Sequence, residues 1–178
     1  MEFNPTEIKL VVGLGNKDKK YASTYHNAGS GAVLFLANQI NKPFKKPFLK
    51  PFFLVKGPNL SFAYLDCYMN ESGGPLKKLL NYLNISPAEL LVLHDDSDLP
   101  IGEFKLAFGS SSAGHHGIDS SIKYLGSENF WRLRIGIRGP ENINRKAGDF
   151  VLSKISPSDS EGLEKVYMEI RKLLGLNR

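Results

Sequence analysis

Ile8-Lys-Leu-Val-Val-Gly-Leu-Gly-Asn16 is the stretch on which the fold turns. A short β-branched apolar run that ends at glycine reads as a buried strand. A residue just past the carboxyl end of such a strand stands where open α/β sheets place their sites, and Asn16 holds that position. A second run of the same kind, Leu90-Leu-Val-Leu93, leads directly into His94-Asp-Asp-Ser-Asp98. Between the two runs, Val33, Leu36, Ala37 and Ile40 recur at helical spacing over residues 28–41. Leu76, Leu79, Leu80 and Leu83 do the same over 72–84. Strands that alternate with helices predict an α/β domain with a largely parallel sheet and helices on both faces.

The remaining segments fit this frame. Residues 52–56 and 60–66 read as two strands around Gly57-Pro-Asn59, and 102–108 as another. Pro47 and Pro51 forbid a helix in the basic, aromatic stretch from Phe44 to Phe52. Ser86-Pro-Ala-Glu89 is a capping box with proline at the first helical position, opening a very short helix. Gly109 to Gly117 reads as a loop, residues 118–125 as a helix, and Ser158-Asp-Ser-Glu161 as the start of a last amphipathic helix to about Leu174. With 178 residues and no linker, repeat or low-complexity tract, one domain over 1–178 is expected.

Composition removes several classes. The single cysteine, Cys67, excludes an internal disulfide framework and any Cys₄ or Cys₂His₂ zinc site. No apolar run approaches the ~18 residues of a membrane span, and the N-terminus has no secretory pattern, so a soluble cytoplasmic protein is expected. The net charge of +5 is unevenly spread: no Asp or Glu lies between Lys19 and Leu65, a stretch that carries Lys42, Lys45, Lys46, Lys50 and Lys56. Such a stretch is a candidate for contact with a polyanion.

Several motifs bear on chemistry. Gly13-Leu-Gly15 suggests a dinucleotide fingerprint, but Asp18 stands where the third glycine is needed and no acid follows about twenty residues on. The acids around Asp95, Asp96 and Asp98 could hold a hydrated divalent ion, or merely cap a strand-to-loop turn. Trp131-Arg-Leu-Arg-Ile-Gly-Ile-Arg138 alternates with period two. Arg132, Arg134 and Arg138 then share one sheet face, where guanidinium groups either pair with acids or meet phosphates.

Taken together, six segments resemble the bacterial-type peptidyl-tRNA hydrolases. They are Val11-Val-Gly-Leu-Gly-Asn16, Tyr21 followed by Thr24-Tyr-His-Asn-Ala-Gly29, Tyr68-Met-Asn-Glu-Ser-Gly73, His94-Asp-Asp-Ser-Asp-Leu-Pro100, Gly114-His-His-Gly117 and Arg132-Leu-Arg-Ile-Gly-Ile137. They follow the family's order and cover the chain nearly end to end. The resemblance implies a monomeric α/β domain with a mixed sheet. It also implies hydrolysis of the ester joining a peptide to the 3′-terminal ribose of tRNA, with no metal or organic cofactor. His26 matches the family's catalytic histidine and Asp95 its supporting carboxylate. Asn16 and Asn70 match the site asparagines, with Tyr21 and Met69 beside them. Lys105 and Arg134 lie where the family has basic residues that help bind tRNA. The chain departs from the pattern at Lys17-Asp18 and at Leu65-Asp-Cys-Tyr68. It also departs at His116, which stands in place of an asparagine and is expected to meet the substrate.

Those residues suit the reaction. Histidine, with an ordinary pKa near 6.5, is a fitting base for water attack at neutral pH, and a carboxylate can hold its tautomer. The asparagine amides offer N–H groups to a carbonyl or an oxyanion. No Gly-x-Ser-x-Gly elbow exists and Cys67 lies in a predicted strand, which favours direct attack by water. Two other classes compete: a non-catalytic RNA-binding relative of the same fold, and a metal-dependent hydrolase using the acidic loop 95–98 that His94 starts.

Overall fold

The computed structural model describes residues 2–176; the outermost positions of the expected domain, Met1 and residues 177–178, lie outside the described residues. One six-stranded sheet organises the chain, in the order β2-β3-β1-β4-β6-β5. The strands are β1 (Leu10–Gly13), β2 (Phe52–Lys56), β3 (Ser61–Leu65), β4 (Leu90–Pro100), β5 (Phe104–Phe108) and β6 (Trp131–Arg138). The four inner strands are parallel to their neighbours, while the edge strands β2 and β5 run antiparallel to β3 and β6. The mixed, mostly parallel α/β sheet is the one expected.

Two apolar layers sandwich the sheet because its inner strands are apolar on both sides. Val11, Leu91, Leu93, Leu133 and Ile135 face one layer, beneath α1 (Ala28–Ala37) and α5 (Pro157–Leu173). Leu10, Val12, Leu90 and Val92 face the other, beneath α2 (Gly73–Leu83) and α3 (His116–Leu125). A short helix, α4 (Ala147–Phe150), completes the set.

Close backbone approach brings α1 to the sheet. A Cβ on Gly29 would run into the carbonyl of Leu93, and one on Gly13 into the carbonyl of Gly29, so only glycine lets the helix start sit against the ends of β1 and β4. The turn before that helix, residues 25–27, is thereby held against β4.

Three expectations about local structure need correction. Residues 94–98 are no loop: β4 continues through them, paired with β6 as far as Asp96 and again at Pro100, with an irregularity between. The cross-strand hydrogen bonds of β6 extend a strand that its own polar sequence would not propagate. Helix α3 starts at His116, two residues earlier than periodicity predicts, because the His115 side chain caps it. Cys67 lies two residues beyond β3 rather than in it.

Candidate active site

Asp95 is the centre of the site. Its carboxylate is 3% exposed and receives two histidines. His26 Nδ1 lies 2.9 Å from both Oδ1 and Oδ2, and His115 Nε2 lies 3.0 Å from Oδ1. Burial alone would raise the Asp95 carboxyl, but His115 and His26, facing it and hydrogen-bonded to it, hold it well below the usual carboxylate range. Burial pushes His26 down, and the charge and hydrogen bond of Asp95 outweigh that, so its pKa stands above the ordinary 6.5.

The protons in this trio can be placed from the hydrogen bonds. His115 Nδ1 accepts from the backbone N–H groups of Gly117 and Ile118, at 3.1 and 3.2 Å, as the N-cap of α3. A nitrogen that accepts cannot carry the proton, so Nε2 carries it and donates it to Asp95. His26 likewise donates from Nδ1, which leaves its Nε2 lone pair as the basic atom. The ligating atoms of His26, Asp95 and His115 lie within 4.8 Å of one another, close enough for a metal. Yet a metal on His115 Nε2 would require Nδ1–H, and two helix N–H groups already point at Nδ1. The donor set is built to hold protons.

Two cavities meet at His26. One, of about 370 Å³, is lined by Asn16, Tyr21, His26, Met69, Asn70, His116 and Leu152. The other, of about 170 Å³, lies over Asp95–Asp98, Ser112–His116 and Ala147-Gly148. His26 and His116 line both. The structure therefore brings together all of Asn16, Tyr21, His26, Met69, Asn70, Asp95 and His116.

Asn16 is fixed at three points. Its backbone N–H donates to Asn27 Oδ1 at 2.8 Å, its carbonyl accepts from Asn27 Nδ2 at 3.0 Å, and its side-chain Oδ1 accepts from the Met69 N–H at 2.9 Å. With Oδ1 so engaged, Nδ2 is the group left for a ligand. Met69 itself is buried and contributes backbone, whereas Asn70 and His116 are exposed. The backbone of His26 is held from the far side, its N–H donating to the Val151 carbonyl at 2.7 Å.

Of the three arginines on β6, only Arg134 is available to a phosphate. Arg132 is 2% exposed and donates to the carbonyls of Ser110 and Ser111, pinning the loop before α3. Arg138 donates to the carbonyls of Ser97, Asn142, Ile143 and Arg145, so it ties down the segment before α4. Arg134 pairs with Asp96 through Nε alone, and Lys105 stands directly opposite it on β5. Lys105 is exposed and has no partner among the described residues. Nor do the acids 95–98 converge on an ion: Asp96 is taken by Arg134 and by the Asp98 N–H.

Sequence reasoning missed His115 and Asn27. Both are neighbours of residues it selected, and what distinguishes them is a capping bond and a backbone clamp that appear only in three dimensions. The contribution of Val151 and Leu152 was missed for the same reason. Cys67 has no nucleophilic part: it is buried, and burial pushes its thiol up to about 12.

A buried carboxylate–histidine pair beside a cavity lined by two asparagines is an arrangement able to carry out general-base chemistry. Comparison with known proteins agrees with that class: the family model described as peptidyl-tRNA hydrolase matches residues 10–176, and the chain belongs to that family. It is 43% identical over 172 residues to the peptidyl-tRNA hydrolase of Haemophilus influenzae (strain 86-028NP), covering 92% of this chain and 87% of that one. It is 39% identical to that of Aquifex aeolicus (strain VF5), covering 94% and 88%. Among solved structures, peptidyl-tRNA hydrolase from Acinetobacter baumannii superposes with a TM-score of 0.85 at 27% identity, over 98% of this chain and 90% of that one.

Proposed function

We propose that this chain hydrolyses the ester between a peptide and the 3′-terminal ribose of tRNA, with His26 as general base. The observation that carries the assignment is the pinning of His26 Nδ1 by Asp95, which leaves the Nε2 lone pair free beside a cavity that Asn16 also lines. Water on Nε2 gives up its proton as it attacks the ester carbonyl. The imidazolium so formed is stabilised by the buried Asp95 charge, and it returns the proton to the ribose 3′-oxygen as the tetrahedral intermediate collapses and the C–O bond breaks, which releases the peptide acid and free tRNA. Asn16 Nδ2 and Asn70 donate to the carbonyl of the scissile ester or of the peptide, where one preorganised donor is worth roughly 3–4 kcal/mol. The ester straddles the junction of the two cavities, with the peptide on the Asn16 and Asn70 side and the ribose towards Asp96–Asp98. Lys105 and Arg134 grip tRNA phosphate at the β5 edge.

We further propose a monomer as the working unit, the state that the family resemblance implies. Among the described residues no helix is long and apolar enough to cross a membrane. The substrate arises where translation occurs, which supports action in the cytoplasm.

The test is peptide release from peptidyl-tRNA, with EDTA present, by wild type and His26→Ala. Wild type should be active in EDTA. Loss of the base should lower kcat by ~10²–10⁴ while tRNA affinity persists, since phosphate contacts are untouched. Near-normal turnover by the variant would remove His26 from the role, and loss of wild-type activity in EDTA would revive the metal reading.

A further inference from the structure

The lysines that drew notice in the sequence lie nowhere near the Lys105–Arg134 pair. They line the outer side of β2, the sheet edge opposite β5. Six strands at ~4.8 Å spacing separate the two edges by roughly 24 Å.

A built groove runs along that edge. The segment before β2 is strapped to it by reciprocal backbone bonds between Lys45 and Leu54, both 2.9 Å. Pro43, Pro47 and Pro51 stiffen it at every fourth position. Between this strap, β2 and the end of α2 lies a cavity of about 520 Å³, larger than either chamber at His26, lined by Lys42, Lys45, Lys56 and Tyr82 among others. The Nζ atoms of Lys50 and Lys56 each stand 5.7 Å from the centre of the Tyr82 ring. At the turn of the strap Phe48 is 88% exposed, presented by a backbone in which Leu49 takes the left-handed region.

The charge here is uncompensated. Asp66, the nearest acid in sequence, is taken by Lys46 at 2.5 Å. Lys42, Lys45, Lys50 and Lys56 have no ion-pair partner among the described residues, and together they approach the whole net charge of +5. A row of unpaired cations along an extended edge, interleaved with accessible rings, matches the alternation of phosphate and base in an unpaired nucleic-acid strand. An acidic peptide would satisfy the lysines and leave the rings unused. A recessed groove does not suit a flat lipid surface.

We propose that the β2 edge is a second RNA-binding surface, a basic and aromatic track for a single-stranded segment, separate from the grip on substrate tRNA at Lys105 and Arg134. It goes beyond the hydrolytic reading and is independent of it, because none of its residues lines the His26 cavities.

The test is fluorescence anisotropy of a labelled single-stranded oligoribonucleotide against the full chain. The proteins are wild type, the combined variant Lys45→Gln, Lys50→Gln, Lys56→Gln, the variant Tyr82→Leu, and the pair Lys105→Gln, Arg134→Gln. Tyr82→Leu keeps an apolar side chain against Phe52 and removes the ring. The lysine variant should bind at least tenfold more weakly, with the salt slope reduced by about 2, given ~0.7 per single-strand phosphate. Tyr82→Leu should weaken binding by about tenfold, the scale of removing one stacked base. The clamp pair should bind the oligonucleotide as wild type does. The lysine variant should keep kcat/KM on peptidyl-tRNA within about twofold, well short of the tenfold that each 1.4 kcal/mol represents. Deacylated tRNA should compete only weakly for the track in the clamp pair, since the track is separate from the grip on substrate tRNA; displacement of the oligonucleotide by equimolar tRNA would overturn the proposal of a separate track. Wild-type affinity in the lysine variant, loss of binding in the clamp pair, a fall in kcat/KM that tracks the lysine charges, or binding to anionic vesicles in place of RNA would each overturn it.

Discussion

His115→Asn separates two jobs that one imidazole performs. Asparagine is a good N-cap, so the N–H groups of Gly117 and Ile118 keep an acceptor, and α3 should lose little. The shorter amide cannot span the 3.0 Å contact to Asp95. What disappears is one hydrogen bond to a buried carboxylate, worth roughly 1.5–3 kcal/mol. That bond stabilises the Asp95 charge without help from His26. Without it, the carboxylate leans harder on its remaining partner, and protonation of His26 is favoured further. The bond is present in both protonation states of His26, so at 1.36 kcal/mol per unit its full worth sets only a ceiling, about one to two pKa units, on the upward shift. His26 must be unprotonated to act as a base. The wild-type acid limb of kcat/KM should therefore have its midpoint above 6.5, since Asp95 raises His26. In His115→Asn the midpoint should move up, by less than that ceiling, and the plateau at higher pH should stay near wild type. The assay is peptide release at limiting substrate across the pH range, with thermal unfolding as a control. His115→Ala, which also loses the cap, should be about 1 kcal/mol less stable than His115→Asn. An acid limb that stays put or moves down while the plateau falls would refute the reasoning and leave His115 as a purely structural cap.

Asn16→Asp keeps an oxygen for the Met69 N–H but removes the Nδ2 donor, so kcat/KM should drop by ~10²–10³ with the fold retained; wild-type kinetics would exclude Nδ2 from the reaction. Asn70→Asp should also be slow, and an unchanged rate would make Asn70 a turn residue only. Lys105→Gln or Arg134→Gln should raise KM and reduce its salt slope by about 0.9 for each phosphate that is no longer neutralised; an unaltered slope would place the tRNA elsewhere. His116→Asn should remain active, because an amide at the junction of the two cavities can donate as the ring does, and a fall in rate of more than about tenfold, 1.4 kcal/mol, would show that the histidine itself is required.

Much of this architecture is legible in local chemistry. The runs 10–13 and 90–93 are apolar on both faces, which only a covered, parallel strand tolerates. The capping box at Ser86 forms as its residue types require, with Glu89 reaching back to the Ser86 N–H. The period-two pattern of 131–138 likewise yields a strand with an apolar and a polar face. The polar face is less informative, since three arginines on one side look equivalent in sequence. Their fates differ because the loop before α3 covers Arg132, the segment before α4 engages Arg138, and Arg134 is left at the rim.

The sequence by itself determined the α/β alternation, the placement of Asn16 past the end of a strand, and the residue types a general-base site needs. These follow from hydrophobic period and from functional groups, which are properties of the chain read locally. Tertiary structure alone decided that His115 rather than His116 meets Asp95, which nitrogen of each ring carries its proton, and which end of the Asn16 amide faces a ligand. Each of those rests on a hydrogen bond between groups far apart in the chain: His26 and Asp95 across 69 residues, Asn16 and Met69 across 53. No local pattern encodes such a bond, because its energy depends on positions that exist only once the sheet has brought its strand ends together.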